Sequence, residues 1–120
     1  MKKRVCYVSF CYFFLSFLTV KAKSVLVVCA APTQLTLLNQ SSNSVTFSWS
    51  DSNAVVTQWE VFFINSNTGI PPANSTGTLV STPQYTLNNL TPGTFYRFFV
   101  RSHCSNGELS PWSTGLTILN

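Results

Sequence analysis

The chain has 120 residues, 45% of them apolar, 14% aromatic and only 8% charged, with a formal net charge of +4. That length suits one domain and is too short for two. Five of the seven basic residues, Lys2, Lys3, Arg4, Lys21 and Lys23, precede residue 24, leaving Arg97 and Arg101 against Asp51, Glu60 and Glu108, or 2 − 3 = −1. A nucleic-acid groove needs many phosphate contacts, and two arginines cannot line one. Three carboxylates and one histidine are also a thin supply for acid–base catalysis.

The N-terminus reads as an export signal. A basic start is followed by an apolar run at residues 5–20, short for a membrane span but suited to the hydrophobic region of a secretory leader. Residues 1–22 are therefore expected to be a signal peptide and 23–32 a lead-in segment, placing the protein outside the cell, at the extracellular surface or in a periplasm. Three processing routes stay open: cleavage after Ala22, cleavage after Ala30, and a lipobox-like reading in which Cys29 is acylated. Membrane contact is expected only through the leader or such a lipid. Cys6 and Cys11 leave with the leader, so Cys29 and Cys104 are the one pairing left if cleavage spares Cys29. The alternative is two buried free thiols.

From residue 33 onward the pattern is β. Leu35 and Leu37 alternate with Thr36, and Val45, Phe47 and Trp49 alternate with Thr46, Ser48 and Ser50, each a half-buried strand. Trp59, Val61 and Phe63 continue in a third strand after a turn at Asp51-Ser52-Asn53. Residues 65–77, with Gly69, Pro71 and Pro72, read as a long loop. Shorter strands follow at 78–82 and 85–87, split by Pro83, then a long one at 95–103 and a last at 113–119. Seven short strands without helical period predict an antiparallel, immunoglobulin-like β-sandwich over 33–120.

One motif is sharper than periodicity. Leu90-Thr91-Pro92-Gly93-Thr94-Phe95-Tyr96 has the form of a tyrosine corner, in which the Tyr hydroxyl bonds back to upstream backbone. With Ala31-Pro32-Thr33 as entry segment, Trp49 in the second strand and Trp59-Glu60-Val61 in the third, the chain resembles the fibronectin type III domain. Trp49, Trp59, Leu90 and Tyr96 then take structural roles. The closer resemblance is to type III domains of secreted bacterial proteins, which often carry one Cys just before Ala-Pro-Thr and another at the end of the sixth strand. That resemblance implies a Cys29–Cys104 disulfide at one pole. Residues 110–113, Ser-Pro-Trp-Ser, also echo half of a cytokine-receptor signature, which keeps an animal receptor origin in view.

Parity places Arg97, Phe99 and Arg101 on the outer side of the sixth strand, and Glu60, Phe62 and Ile64 on the outer side of the third. The resemblance makes these strands neighbours, so Phe62, Arg97, Phe99, Arg101 and Trp112 form the candidate binding face. The competing expectation is that the arginines stack on Phe99 and Trp112 and merely cover apolar surface. His103 and Cys104 point to opposite faces and make no nucleophile–base pair, and Asp51-Ser52-Asn53 is a turn rather than a calcium loop. The expected function is a non-catalytic extracellular interaction or spacer module with no metal or cofactor and an unidentified protein partner. The alternatives are a carbohydrate-binding module using Trp112, with a glycan as partner, or the N-terminal fragment of a larger secreted protein.

Overall fold

Alternating apolar residues can bury one face of a strand only if a second sheet covers it, and the computed structural model, which describes residues 28–120, supplies that cover. The expected leader lies outside the described residues. Seven strands, β1 (Thr33–Gln40), β2 (Val45–Ser50), β3 (Val56–Ile64), β4 (Thr78–Val80), β5 (Gln84–Leu87), β6 (Phe95–Cys104) and β7 (Leu116–Leu119), make up the fold. They form two antiparallel sheets, β1-β2-β5 and β4-β3-β6-β7.

The core is built by the predicted alternation. Val45, Phe47 and Trp49 from β2 meet Val61 from β3 and Tyr96, Phe98 and Val100 from β6, with Ile118 and Leu90 closing the ends. Phe47 and Phe98 lie 4.9 Å apart across the sheets, and Trp59 packs edge-on against Trp49 at 6.1 Å.

Departures from the expected pattern occur where strands run out of neighbours. Leu37 sits opposite Phe47, yet register shifts on both sides of the Thr36 and Leu37 pairs disturb this edge strand. A bulge bends the strand that carries it, and Leu37 is left 39% exposed. Phe63 keeps inward parity but lies at the end of β3, against Tyr96 and Phe98, and is 41% exposed. The fourth strand stops at Val80, because the chain then crosses from one sheet to the other. Pro83 serves that crossing with its carbonyl, which accepts the Trp49 N–H at 3.2 Å. The last strand starts at Leu116 rather than at residue 113.

Two fasteners set the geometry of the poles. At one, the Thr91 N–H donates to the Tyr96 hydroxyl at 2.9 Å, with Leu90 buried and Gly93 at φ +72° in the turn between them. A side chain at Gly93 would have to adopt the left-handed region. At the other, Cys29 and Cys104 are bonded, with a Cα–Cα distance of 6.0 Å and a sequence separation of 75. Residues 28–32 of the lead-in are thus part of the folded unit.

Tyr96→Phe keeps the ring and deletes the acceptor of the Thr91 N–H. It should lower urea-unfolding stability by about 1–2 kcal/mol with an unchanged m-value; no loss would show that water replaces the hydroxyl. Replacing Cys29 and Cys104 by Ala frees a long loop in the unfolded chain and should cost about 4 kcal/mol on the loop-entropy account, read in the same titration.

Candidate functional site on the outer face of the four-stranded sheet

The register between β3 and β6 decides which side chains share this face. Glu60 pairs with Arg101, Phe62 with Phe99 and Ile64 with Arg97, and directly opposed residues of antiparallel strands lie on the same side. The expected neighbours are therefore together. Their exposure is not as expected: Phe99 is only 2% exposed and Glu60 only 3%, so Phe99 is not an outward contact residue. Glu60 is covered by Arg101, His103 and Gly77, and Phe99 by residues 110–115, which lie along β6 where a neighbouring strand would.

That segment satisfies β6 without being a strand. Ser110 donates its N–H to the Ser102 carbonyl at 2.9 Å, and its hydroxyl accepts the Ser102 N–H at 2.7 Å. Ser113 repeats the arrangement on Val100, at 2.8 Å and 3.0 Å. Two hydroxyls thus replace two ladder carbonyls, which leaves the intervening Pro111 and Trp112 free to arch over the face. Gly115 completes the cover. A Cβ there would fall 2.5 Å from Arg97 Nε and 2.9 Å from the Phe99 ring, so only glycine lets the backbone approach this closely.

The arginines stack as the competing expectation held. The Arg101 guanidinium lies 4.4 Å from the Trp112 ring centroid and that of Arg97 lies 5.6 Å from Phe99. Phe62 packs against Trp112 at 5.8 Å. One ring face of Trp112 is thus covered by a cation.

Beneath the stack is a polar cluster that parity alone did not reveal. Glu60 Oε1 accepts from Arg101 Nε and from His103 Nε2, both at 2.9 Å, and Oε2 accepts the Gly77 N–H. Arg101 also donates through Nη2 to the Ser75 carbonyl at 3.1 Å. The pair therefore holds the returning limb of the 65–77 loop against the sheet. Gly77 must be glycine, because a Cβ would overlap the Val61 carbonyl oxygen at 2.0 Å. Burial raises the Glu60 pKa, but the hydrogen bonds from Arg101, His103 and Gly77 and the Arg101 charge outweigh it, so the carboxyl sits below its ordinary value.

Asp51 is a turn residue, as its residue type predicts, and also a hub. Its Oδ1 accepts from the Asn53 N–H at 2.7 Å and from the Asn53 side chain at 2.8 Å. Its Oδ2 accepts from Trp59 Nε1 at 2.8 Å and from the Ser102 hydroxyl. Asn53 in turn exchanges two hydrogen bonds with the backbone of Ala30, both at 2.8 Å. Burial again raises the pKa of this carboxyl and is outweighed by the donors from Ser102, Asn53 and Trp59, which hold it below its ordinary value. Beside this hub a cleft of about 450 Å³ is lined by Val28, Ala54, Val55 and Cys104, among others. It holds no group of titratable side chains. Among the described residues, no three His, Cys, Asp or Glu side chains gather in a metal-binding cluster.

Comparison with known proteins agrees with this geometry. The family profile described as "Fibronectin type III domain" matches residues 30–118. The chain is 34% identical over 89 residues to tyrosine-protein phosphatase 99A of Drosophila melanogaster, spanning 70% of this chain but only 7% of that protein. Among solved structures, the fn3 domain of human collagen alpha-1(XX) superposes with a TM-score of 0.64 at 21% identity, covering 82% of this chain and 91% of that one. An Fn3-like protein from Clostridium thermocellum superposes with a TM-score of 0.61 at 22% identity, covering 75% and 91%. At such identities the structural likeness establishes the fold. Domains of this kind are commonly interaction or spacer modules and typically non-catalytic.

Because Asp51 and Glu60 have folded pKa values below their unfolded ones, the unfolded chain binds more protons in the acid range, and stability rises with pH there. Their contribution is present above the ordinary carboxylate range of about 4 and is lost as pH falls through the lower folded values. The urea midpoint should therefore drop on acidification below about pH 4. Asp51→Asn with Glu60→Gln should flatten that dependence and lower stability at pH 7 by about 3 kcal/mol or more, since Arg101 loses its buried acid. A double variant with the wild-type slope would place the acid sensitivity elsewhere.

Proposed function

The chain belongs to the fibronectin type III family, and on that premise we propose that it is a non-catalytic module, exported from the cell and used for protein contact or spacing at the extracellular surface. The observation that carries this reading is how its reactive groups are committed. Asp51 and Glu60 have both carboxylate oxygens occupied by structural donors, His103 is tied to Glu60, and Cys29 and Cys104 are bonded to each other. These groups fasten strands and loops; they do not converge on a space where a substrate would sit.

Export is supported by the disulfide, since such bonds persist in oxidising compartments. The bond also favours one of the processing routes. Cleavage after Ala30 would discard Cys29, and a lipid thioether would occupy the sulfur that Cys104 uses, so cleavage after Ala22 is the route consistent with the folded unit. A protein partner is preferred to a glycan, because Arg101 lies over the Trp112 ring that a sugar would need. A place within a larger secreted protein is the second reading, favoured by the fly relative, of whose length this chain spans 7%.

Intact mass of the exported protein, measured with and without reduction, tests the reading. The expected chain begins at Lys23, carries no lipid and gains two hydrogens on reduction. A chain beginning at Ala31, an acylated Cys29, or protein retained in the cytoplasm would overturn it.

A further inference from the structure

Three stretches of the chain have the form Asn-X-Ser/Thr: Asn39-Gln40-Ser41, Asn74-Ser75-Thr76 and Asn89-Leu90-Thr91. In a chain exported through a eukaryotic secretory pathway this pattern is the acceptor for N-linked oligosaccharide, a bulky and solubilising group confined to the surface. Such short patterns recur by chance, and the fold separates the three. Asn39 lies within β1, where its Oδ1 accepts the Gln40 N–H at 2.9 Å, and the Ser41 hydroxyl is engaged by Asn43 and Ser44 at 3.1 Å and 2.7 Å. Asn74 and Asn89 stand in connecting segments with positive φ, at 66° and 62°, and both are exposed, as are Thr76 and Thr91. The hydrogen bonds formed there run through Ser75 and the Leu90 and Thr91 N–H groups. Both Asn amides and both Thr hydroxyls are left without a partner among the described residues.

Turn chemistry accounts for only half of each pattern. Asn tolerates the left-handed region, and Asn74 takes the third position of a turn closed by the Ser75 N–H on the Pro72 carbonyl at 3.1 Å. No turn requires a free hydroxyl two residues further on. The two positions also share a side of the sandwich. Asn74 lies just ahead of β4 and Asn89 just after β5, and among the described residues β4 pairs only with β3 and β5 only with β2. On the opposite side, β1 and β7 are stitched together, with Gln40 Nε2 donating to the Leu119 carbonyl at 2.8 Å and Asn120 Nδ2 to the Ser42 carbonyl at 2.7 Å. An open sheet edge is where folded proteins place groups that obstruct pairing with another chain. Leu79, 51% exposed on β4, shows what such a group would shield.

We propose that Asn74 and Asn89 are N-glycosylation sites and that Asn39 is not. This rests on the export reading, and it takes the animal side of the two origins raised by the sequence, where the fly relative, 34% identical over 89 residues, also belongs. The co-reactant is a lipid diphosphate-linked oligosaccharide, supplied with its transferase on the lumenal side of the secretory membrane. The Asn Nδ2 bonds to C1 of the first sugar and gives up one proton. The C1–O bond to the diphosphate breaks, and its electron pair leaves with the lipid diphosphate.

The test is the full chain, leader included, secreted from cultured insect cells. Intact mass should show two oligosaccharides, and a glycan-releasing amidase should remove both, leaving Asp at positions 74 and 89 and an unchanged Asn39 in the peptide map. Thr76→Ala and Thr91→Ala keep each Asn, its turn and the Thr91 N–H bond to Tyr96, so each should cost one oligosaccharide and leave the disulfide intact. Secreted, disulfide-bonded protein in which Asn74 or Asn89 is bare, in which Asn39 carries a glycan, or in which either Thr variant keeps both oligosaccharides would overturn the inference and leave the export reading standing. Protein retained in the cytosol without glycans would overturn both. Should a variant not be secreted, the wild-type peptide map decides alone.

Discussion

The middle of strand β6 is covered on both faces, and the rest of the molecule is arranged to meet that constraint. Its inner side chains, Tyr96, Phe98 and Val100, fill the sandwich, while Phe99 on its outer side is as well buried as they are. A strand in that position has no water to turn to, so each of its backbone groups needs a protein partner. On one edge β3 provides the partners as a ladder. On the other, β7 reaches only to Phe98, and beyond it the Ser110 and Ser113 hydroxyls take over.

The face above depends on this replacement of carbonyls by hydroxyls. A regular strand in residues 110–115 would alternate its side chains and leave Phe99 open to solvent. Because the hydroxyls make the acceptor bonds instead, the segment swings Trp112 over Arg101 and lays Gly115 on Phe99. Arg101 is then held from three directions, by Trp112, Glu60 and the Ser75 carbonyl. The same cation fastens the long loop to the sheet.

Much of this was legible in the residues. Strict alternation in Val45, Phe47 and Trp49 specifies a face because a strand has period two, and the tyrosine corner specifies a crossover because its Tyr needs a backbone partner. Exposure was harder to read. Leu37 and Phe63 have the expected parity but lie at an edge and an end, and distance from the neighbouring sheet is not encoded in alternation. The Ser-Pro-Trp-Ser segment was visible as a motif, yet its two hydroxyls have meaning only beside the N–H groups of Val100 and Ser102.

The charge balance shows the division most plainly. From composition and position alone, the positive charge belongs to the first 23 residues, and the remainder of the chain is nearly neutral, all β and poor in catalytic groups. Those properties are local, since they depend on residue type and spacing along the chain. Which of the remaining charges cancel is not local. Glu60 and Arg101 are 41 residues apart and meet because β3 and β6 pair in one register. A shift of one residue would turn every such pair to opposite faces. Only the tertiary structure could decide that Arg101 is committed to the fold while Arg97 has no acid beside it among the described residues.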